Sequence, residues 1–245
     1  MDTSAHLSTK KIEVSDRLIF ALDYGDPEAA REMVKRLGDA VSFYKLGLEL
    51  FMAGGYFELL NWLVDQGKKV FVDLKFFDVP QTVASAVKAL RNKGATFATV
   101  HGNDSILAAA AQEKGDLKIL AVTVLTSLDQ KDLEDLGFTC DLKRLVLSRA
   151  KRSLQLGCDG VISSGLEAPE LRQELGDRFL IVAPGIRPLE NNVVNRDDQK
   201  RIVDVRTAFL NGADYIVMGR PIKQAADPYL AAQQVQTQIK AVFGE

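Results

Sequence analysis

The stretch Val70-Phe71-Val72-Asp73-Leu74-Lys75-Phe76-Phe77-Asp78-Val79-Pro80-Gln81-Thr82-Val83 decides how the chain is read. Its apolar opening, Val70 to Val72, reads as a buried strand. Asp78-Val79-Pro80 reads as the turn into a helix whose first turn accepts Pro80. Side chains two apart on a strand share a face and lie about 6.6 Å apart along it. Asp73 and Lys75 therefore point the same way, with Asp78 on the turn just beyond. Charged groups at the end of a hydrophobic strand cost free energy unless they pair or act. A structural salt bridge and a reactive site both meet that requirement, so the rest of the chain must decide between them.

Working outward, short apolar runs recur at 18–22, 42–44, 97–100, 119–125, 160–163, 180–183 and 215–218. Helical stretches are expected from about Asp26 to Gly38, within 50–66, over 79–92, and near 141–156, 201–211 and 228–243. Strands separated by helices imply parallel strands joined by crossovers. No linker rich in Pro, Gly or Ser divides the chain, which predicts one domain over 15–245 behind a polar segment, 1–14, expected to be flexible. The 245 residues match the roughly 250 of a (β/α)8 TIM barrel. That closed α/β barrel suits the strand count better than an open doubly wound sheet. Asp23, Lys45, Asp73, Lys75, Thr126, Arg187 and Arg220 fall at or just after the C-terminal ends of strands. In such a barrel those ends converge on one mouth, where active sites lie. Scattered structural ion pairs have no reason to choose that end repeatedly.

Composition narrows the function. Apolar and charged fractions of 47% and 26% are those of a globular protein, and a net charge of −2 sets up no basic field for nucleic acid or an anionic membrane. Two separated cysteines, Cys140 and Cys158, suggest thiols in a reducing compartment, and two histidines leave little for a metal site. The N-terminus lacks a signal-peptide core, and no apolar run approaches the roughly 18 residues of a membrane helix. A cytoplasmic location is expected. Any phosphate must be held by local basic groups. The loops after strands seven and eight, the usual phosphate site of this fold, read Pro184-Gly185-Ile186-Arg187 and Gly219-Arg220-Pro221. Glycine permits close backbone approach and arginine grips an oxyanion with two hydrogen bonds. A phosphorylated small molecule is the expected substrate.

Asp73-Leu74-Lys75-Phe76-Phe77-Asp78-Val79-Pro80 with Thr82 resembles the signature of the orotidine 5′-phosphate decarboxylases. The similarity spans most of the chain, from Leu18–Asp23 through Tyr44-Lys45-Leu46-Gly47 and Val124–Ser127 to Pro184–Arg187 and Val217–Ile222. It implies a homodimeric (β/α)8 barrel that converts orotidine 5′-phosphate to UMP and CO2 without metal or organic cofactor, in the last step of de novo UMP synthesis. By the same resemblance Lys75 is the proton donor to pyrimidine C6. Lys45, Asp73, Lys75 and Asp78 form the charged network, Asp78 and Thr82 reaching in from the second subunit. Asp23 and Lys45 contact the ribose hydroxyls, Thr126 or its rival Ser127 the pyrimidine edge. Gln199, Arg220 and the Gly219 backbone hold the phosphate, with Arg187 beside them. By the same resemblance the loop from Arg187 to the Asp198-Gln199 pair is longer than in the family's bacterial members, and the long polar loop 188–200 is the natural lid.

Other residues have structural roles in this reading. His101 is expected to be a hydrogen-bonded structural histidine, Trp62 helix-to-barrel packing, Cys158 a gap filler, and the basic run from Lys143 to Arg152 a solvated helix face. Two rival functions remain. A metal-dependent sugar-phosphate decarboxylase shares the Asp73, Lys75, Asp78 spacing and would lose activity in chelator. A non-catalytic nucleotide-binding barrel would bind UMP without releasing CO2.

Overall fold

The computed structural model describes residues 6–187 and 201–244. Eight strands, β1 Leu18–Ala21, β2 Phe43–Gly47, β3 Lys69–Phe76, β4 Phe97–Val100, β5 Lys118–Val122, β6 Gly160–Ile162, β7 Leu180–Ala183 and β8 Tyr215–Met218, follow one another around a closed barrel. Every pairing is parallel, including β8 back to β1. The expected (β/α)8 barrel is the observed one.

Alternation along the strands makes two apolar layers. Inward residues Ile19, Phe43, Phe71, Phe97, Leu120 and Tyr215 belong to the cluster that fills the barrel. Phe97 sits at its centre, with ring centroids 5.1 Å from Phe43 and 5.2 Å from Tyr215. Outward neighbours such as Leu18, Phe20, Tyr44, Val70 and Val72 join the second cluster, beneath the helices.

The helices begin where the sequence supplies caps. In α1 (Pro27–Leu37) the Asp26 carboxylate accepts from the backbone N–H of Glu28 and Ala29, and Gly38 ends the helix at φ 52°. Pro80 opens α4 (Pro80–Leu90), and Asp227 caps α11 (Pro228–Phe243). The stretch 50–66 divides into α2 (Leu48–Ala53) and α3 (Tyr56–Asp65), because Gly54 and Gly55 both take positive φ. Helices α5 (Asp104–Glu113) and α8 (Ala168–Leu175) complete crossovers that apolar periodicity alone leaves unassigned. Short helices α6 (Gln130–Asp135), α9 (Val205–Leu210) and α10 (Arg220–Lys223), with α7 (Leu142–Gln155), make up the rest.

Part of the segment expected to be flexible is tied down. Asp214, fully buried, accepts from the Ser8 hydroxyl at 2.5 Å and pairs with Lys10 at 3.1 Å and Arg172 at 2.8 Å. Ile12 packs against the barrel interior. A buried carboxylate requires such partners, and supplying them fixes residues 8–12 across the end of the barrel opposite the mouth. The basic face of α7 is likewise not wholly solvated: Arg149 donates to the Thr123 carbonyl at 2.8 Å and lies over the Phe138 ring. Among the described residues no helix is long and apolar enough to cross a membrane.

Candidate active site

The charged centre grows out of the inward faces of β2 and β3. Phe43 and Phe71 belong to the barrel filling, so the residues two further on, Lys45 and Asp73, project to the same side one step nearer the mouth. Lys45 is thus inside β2 rather than beyond it. Its Nζ lies 3.3 Å from Asp23 Oδ1 and 3.3 Å from Asp73 Oδ2. Asp73 Oδ1 is 2.9 Å from Lys75 Nζ. Charges therefore alternate along Asp23, Lys45, Asp73 and Lys75.

This alternation decides the ionisation. Burial pushes the Asp73 carboxyl up, but the ammonium groups of Lys45 and Lys75, with hydrogen bonds from Lys75 and Thr99, hold it below its ordinary 3.8. Burial pulls Lys45 down, yet Asp73 and Asp23 keep it above its ordinary 10.5. Both groups are charged throughout the neutral range.

Lys75 carries a backbone feature that its spacing does not reveal. Among the described residues it is the one non-glycine with positive φ, 48°. The β3–β4 register shifts between Val72 and Phe76. The fully buried Thr99 of β4 spans this irregularity. Its hydroxyl accepts from the Lys75 N–H at 2.9 Å and donates to Asp73 Oδ1 at 2.9 Å. Sequence reading missed Thr99, though asking which group satisfies a hydroxyl inside an apolar strand points to it. Gly47 has a steric role that its place in the sequence does not reveal. A Cβ there would lie 3.2 Å from Lys45 Nζ and 3.3 Å from Asp23 Oδ1, so glycine leaves room for that pair. Lys223 was also missed: its ammonium donates to the Asp23 carbonyl and lies 3.8 Å from the Tyr24 ring centroid, fixing the loop after β1.

A cavity of about 290 Å³ opens beside these charges, close to the ~300 Å³ at which small-ligand pockets begin. Lys45, Asp73 and Lys75 line one part of it, and Leu125, Thr126 and Ser127 another. Phe71, Ile162 and Val217 add apolar surface. Strand β5 ends at Val122, so Thr126 and Ser127 sit on a loop rather than at the strand end, and both reach the cavity.

The remaining sequence-derived residues divide. Arg187 follows β7, where its Nη1 donates to the Ile186 carbonyl at 2.9 Å, and Gly219 and Arg220 follow the adjacent β8, Arg220 being exposed. Asp78 and Thr82 are exposed in the single chain; the Asp78 carboxylate accepts from the Val79 N–H at 2.6 Å, and no ion pair joins it to Lys75 within the chain. Gln199 and the rest of 188–200 lie outside the described residues. His101 packs its ring 5.2 Å from Phe77, but its buried Nδ1 has no hydrogen-bond partner among the described residues, contrary to expectation. Burial, then Arg149 and Lys75, lower its pKa below the usual 6.5.

Asp73 is flanked by ammonium groups on both oxygens, an arrangement that repels a metal cation. Among the described residues no group of three His, Cys, Asp or Glu side chains is placed to hold one.

Comparisons with known proteins agree with this geometry. Residues 16–235 match the family model described as orotidine 5′-phosphate decarboxylase / HUMPS family. An orotidine 5′-phosphate decarboxylase from Methylococcus capsulatus is 65% identical over 237 residues, covering 97% of each chain. One from Nitrobacter winogradskyi is 47% identical, covering 90% of this chain and 91% of that one. The crystal structure of orotidine 5′-phosphate decarboxylase from Lactobacillus acidophilus superposes with a TM-score of 0.81 at 35% identity, covering 91% of this chain and 99% of that one. With a matching barrel, an alternating lysine–aspartate centre at its mouth and relatives of this identity over nearly the full length, the chain belongs to the orotidine 5′-phosphate decarboxylase / HUMPS family.

Proposed function

We propose that this protein decarboxylates orotidine 5′-phosphate to UMP and CO2 in pyrimidine biosynthesis. The observation that carries the reading is Asp73 clamped between Lys45 at 3.3 Å and Lys75 at 2.9 Å on the wall of the mouth cavity. The 65% identical relative bears that name.

In the reaction the bond from C6 to the carboxylate breaks and its electron pair stays on C6, an sp² carbon with no adjacent carbonyl to delocalise it. Lys75 stabilises the developing negative charge, then transfers a proton from Nζ to C6, and the resulting amine takes a proton back from solvent. Asp73 repels the substrate carboxylate in the ground state, a repulsion that ends when neutral CO2 forms. Asp23 and Lys45 hold the ribose hydroxyls, and Thr126 or Ser127 the pyrimidine edge. Arg220, Arg187, Gln199 and the Gly219 backbone hold the phosphate. A unit-charge contact at 4 Å is worth about 4 kcal/mol at an effective dielectric of 20. The largest enzymatic accelerations require upwards of about 20 kcal/mol. Lys75 alone is insufficient, so phosphate binding remote from C6 must contribute to the barrier reduction.

The working unit is a homodimer. Leu48, Phe51 and Met52 on α2, together with Phe77 and Val79 on the β3–α4 turn, are exposed apolar side chains beyond the ends of neighbouring strands. Burying them against a second copy removes that surface from water and carries Asp78 and Thr82 toward the partner's site. The unpaired cysteines Cys140 and Cys158 suit a reducing cytoplasm.

The test mixes the purified protein with orotidine 5′-phosphate and EDTA and follows pyrimidine absorbance and UMP formation. Turnover in chelator is expected. Activity that appears only with added Mg²⁺ refutes the reading in favour of a metal-dependent sugar-phosphate decarboxylase, and UMP binding without CO2 release refutes it in favour of a non-catalytic barrel.

A further inference from the structure

Arg201 joins three loops of the barrel mouth from a buried position. It is 8% exposed, and its ion-pair partner Glu167 is 5% exposed. Arg201 Nη1 donates to Glu167 Oε1, while Nη2 donates to the Leu125 carbonyl at 2.8 Å and the Val124 carbonyl at 3.3 Å. Glu167 Oε2 accepts from the Ser163 hydroxyl at 3.0 Å and the Ser164 N–H at 2.8 Å. The chain around Arg201 is itself anchored, because Val203 bonds to the backbone at Gly185 and Arg187 beyond β7. One guanidinium thus links the loops after β5, β6 and β7.

Removing two charges from water is costly unless their remaining hydrogen-bonding capacity is met. Here the carbonyls immediately preceding Thr126 and the turn following β6 meet most of it, and the buried Arg201 Nε has no partner among the described residues. Those carbonyls belong to Val124 and Leu125, and Leu125, Thr126 and Ser127 line the cavity. The planar fork of arginine reaches a carboxylate and two carbonyls together from separate nitrogens; lysine, whose three donors share one nitrogen, does not span them.

We propose that Arg201, held by Glu167, is a positioning residue that sets the pyrimidine-facing loop Leu125–Ser127 relative to the rest of the mouth. The proposal rests on the nucleotide reading of the site given above. It makes the pair a determinant of base binding rather than of phosphate binding.

Binding of UMP and of ribose 5-phosphate, which lacks the base, separates these roles. Calorimetry on the wild type, Arg201→Gln, Arg201→Lys, Glu167→Gln and the double variant Arg201→Gln/Glu167→Gln supplies both affinities, with thermal melting to establish folding. Arg201→Gln should weaken UMP about tenfold or more, the scale of a lost charge-assisted hydrogen bond. Ribose 5-phosphate should change by less than about twofold, because Arg220 stands on the loop after β8 and Arg187 stays tied to Val203 through its backbone. Glu167→Gln should follow the same pattern, and the double variant should be no weaker than Arg201→Gln alone, since the two act as a unit. Arg201→Lys should behave like Arg201→Gln. If Arg201→Gln does not fold, the same comparison in Arg201→Lys, which keeps the charge opposite Glu167, decides the matter. Equal losses for both ligands, or no loss of UMP affinity, overturn the proposal. A wild type that binds UMP yet releases no CO2 instead defeats the proposed reaction and leaves the loop argument standing.

Discussion

Thr99→Val removes one hydroxyl at nearly constant volume, and two bonds depend on that hydroxyl. The Lys75 N–H loses its acceptor at 2.9 Å and Asp73 Oδ1 loses a donor at 2.9 Å, the Thr99 hydroxyl being fully buried and its two partners half-buried. An unsatisfied buried donor costs about 1–3 kcal/mol and a hydrogen bond to a charged group contributes about 1.5–3 kcal/mol. A non-glycine residue in the left-handed region adds roughly 1–2 kcal/mol of strain that the Thr99 contact helps offset. Unfolding in denaturant should therefore show a loss of about 2–4 kcal/mol. Both bonds end on the reacting cluster, so the defect should also reach the chemistry. A loss of about 1.4 to 2.8 kcal/mol of transition-state stabilisation corresponds to a drop of ten- to a hundredfold in kcat/KM for orotidine 5′-phosphate. Thr99→Ser keeps the hydroxyl and deletes a methyl group, which should cost about 1 kcal/mol of stability while preserving the rate. Steady-state decarboxylation and urea unfolding on both variants test the argument. A Val variant with wild-type kcat/KM, or a Ser variant as slow as Val, would refute the idea that this hydroxyl organises Lys75 and Asp73.

Lys75→Ala should abolish decarboxylation while leaving the melting temperature near wild type, because the side chain is partly exposed and its partner Asp73 keeps Lys45; substantial residual turnover would remove Lys75 from its role. Arg220→Ala should weaken UMP binding far more than uridine binding, and equal losses would reject the phosphate assignment. Mixing inactive Lys75→Ala and Asp78→Ala chains should restore part of the activity through heterodimers; none after confirmed subunit exchange would argue against a shared site. The depressed Asp73 pKa contributes stability that is complete above 3.8 and lost as pH falls through the lowered value, whereas the raised Lys45 pKa contributes stability that is complete below 10.5 and lost as pH rises through the raised one. Between those limits Asp73 and Lys45 stay charged, so neither should give kcat a pH dependence from about pH 5 to 9, and kcat/KM should fall only below about pH 6, where a phosphate monoester takes up its second proton; a kcat that titrates near neutrality with Asp73 or Lys45 would contradict their ionised state.

The barrel was legible because parallel strands covered on both faces read as continuous apolar runs. β4, β7 and β8 carry the expected bounds. The errors have local causes. Lys45 reads as a strand terminus, yet β2 continues to Gly47 because Asp23 and Asp73 neutralise the lysine inside the barrel. The run 119–125 reads as one strand, but the ladder ends at Val122. Its apolar tail persists because Val124 packs into a separate cluster with Leu133, Val146 and Leu171. Arg201 and Glu167 stand 34 residues apart in the chain and meet only after three loops have folded together, so no spacing announces them.

The central motif shows the boundary most clearly. Period-two alternation correctly puts Asp73 and Lys75 on one face, but on a regular strand their Cα atoms lie about 6.6 Å apart with parallel side chains. The observed 2.9 Å ion pair occurs where that regularity fails, in the register shift after Val72 and at Lys75 φ 48°. Lysine has no intrinsic preference for this conformation, and holding it there costs roughly 1–2 kcal/mol. The ion pair and the Thr99 hydroxyl offset that cost. Residue identity alone therefore announces which charges assemble. The bent backbone, fixed by a threonine on the next strand, determines where the ammonium is held.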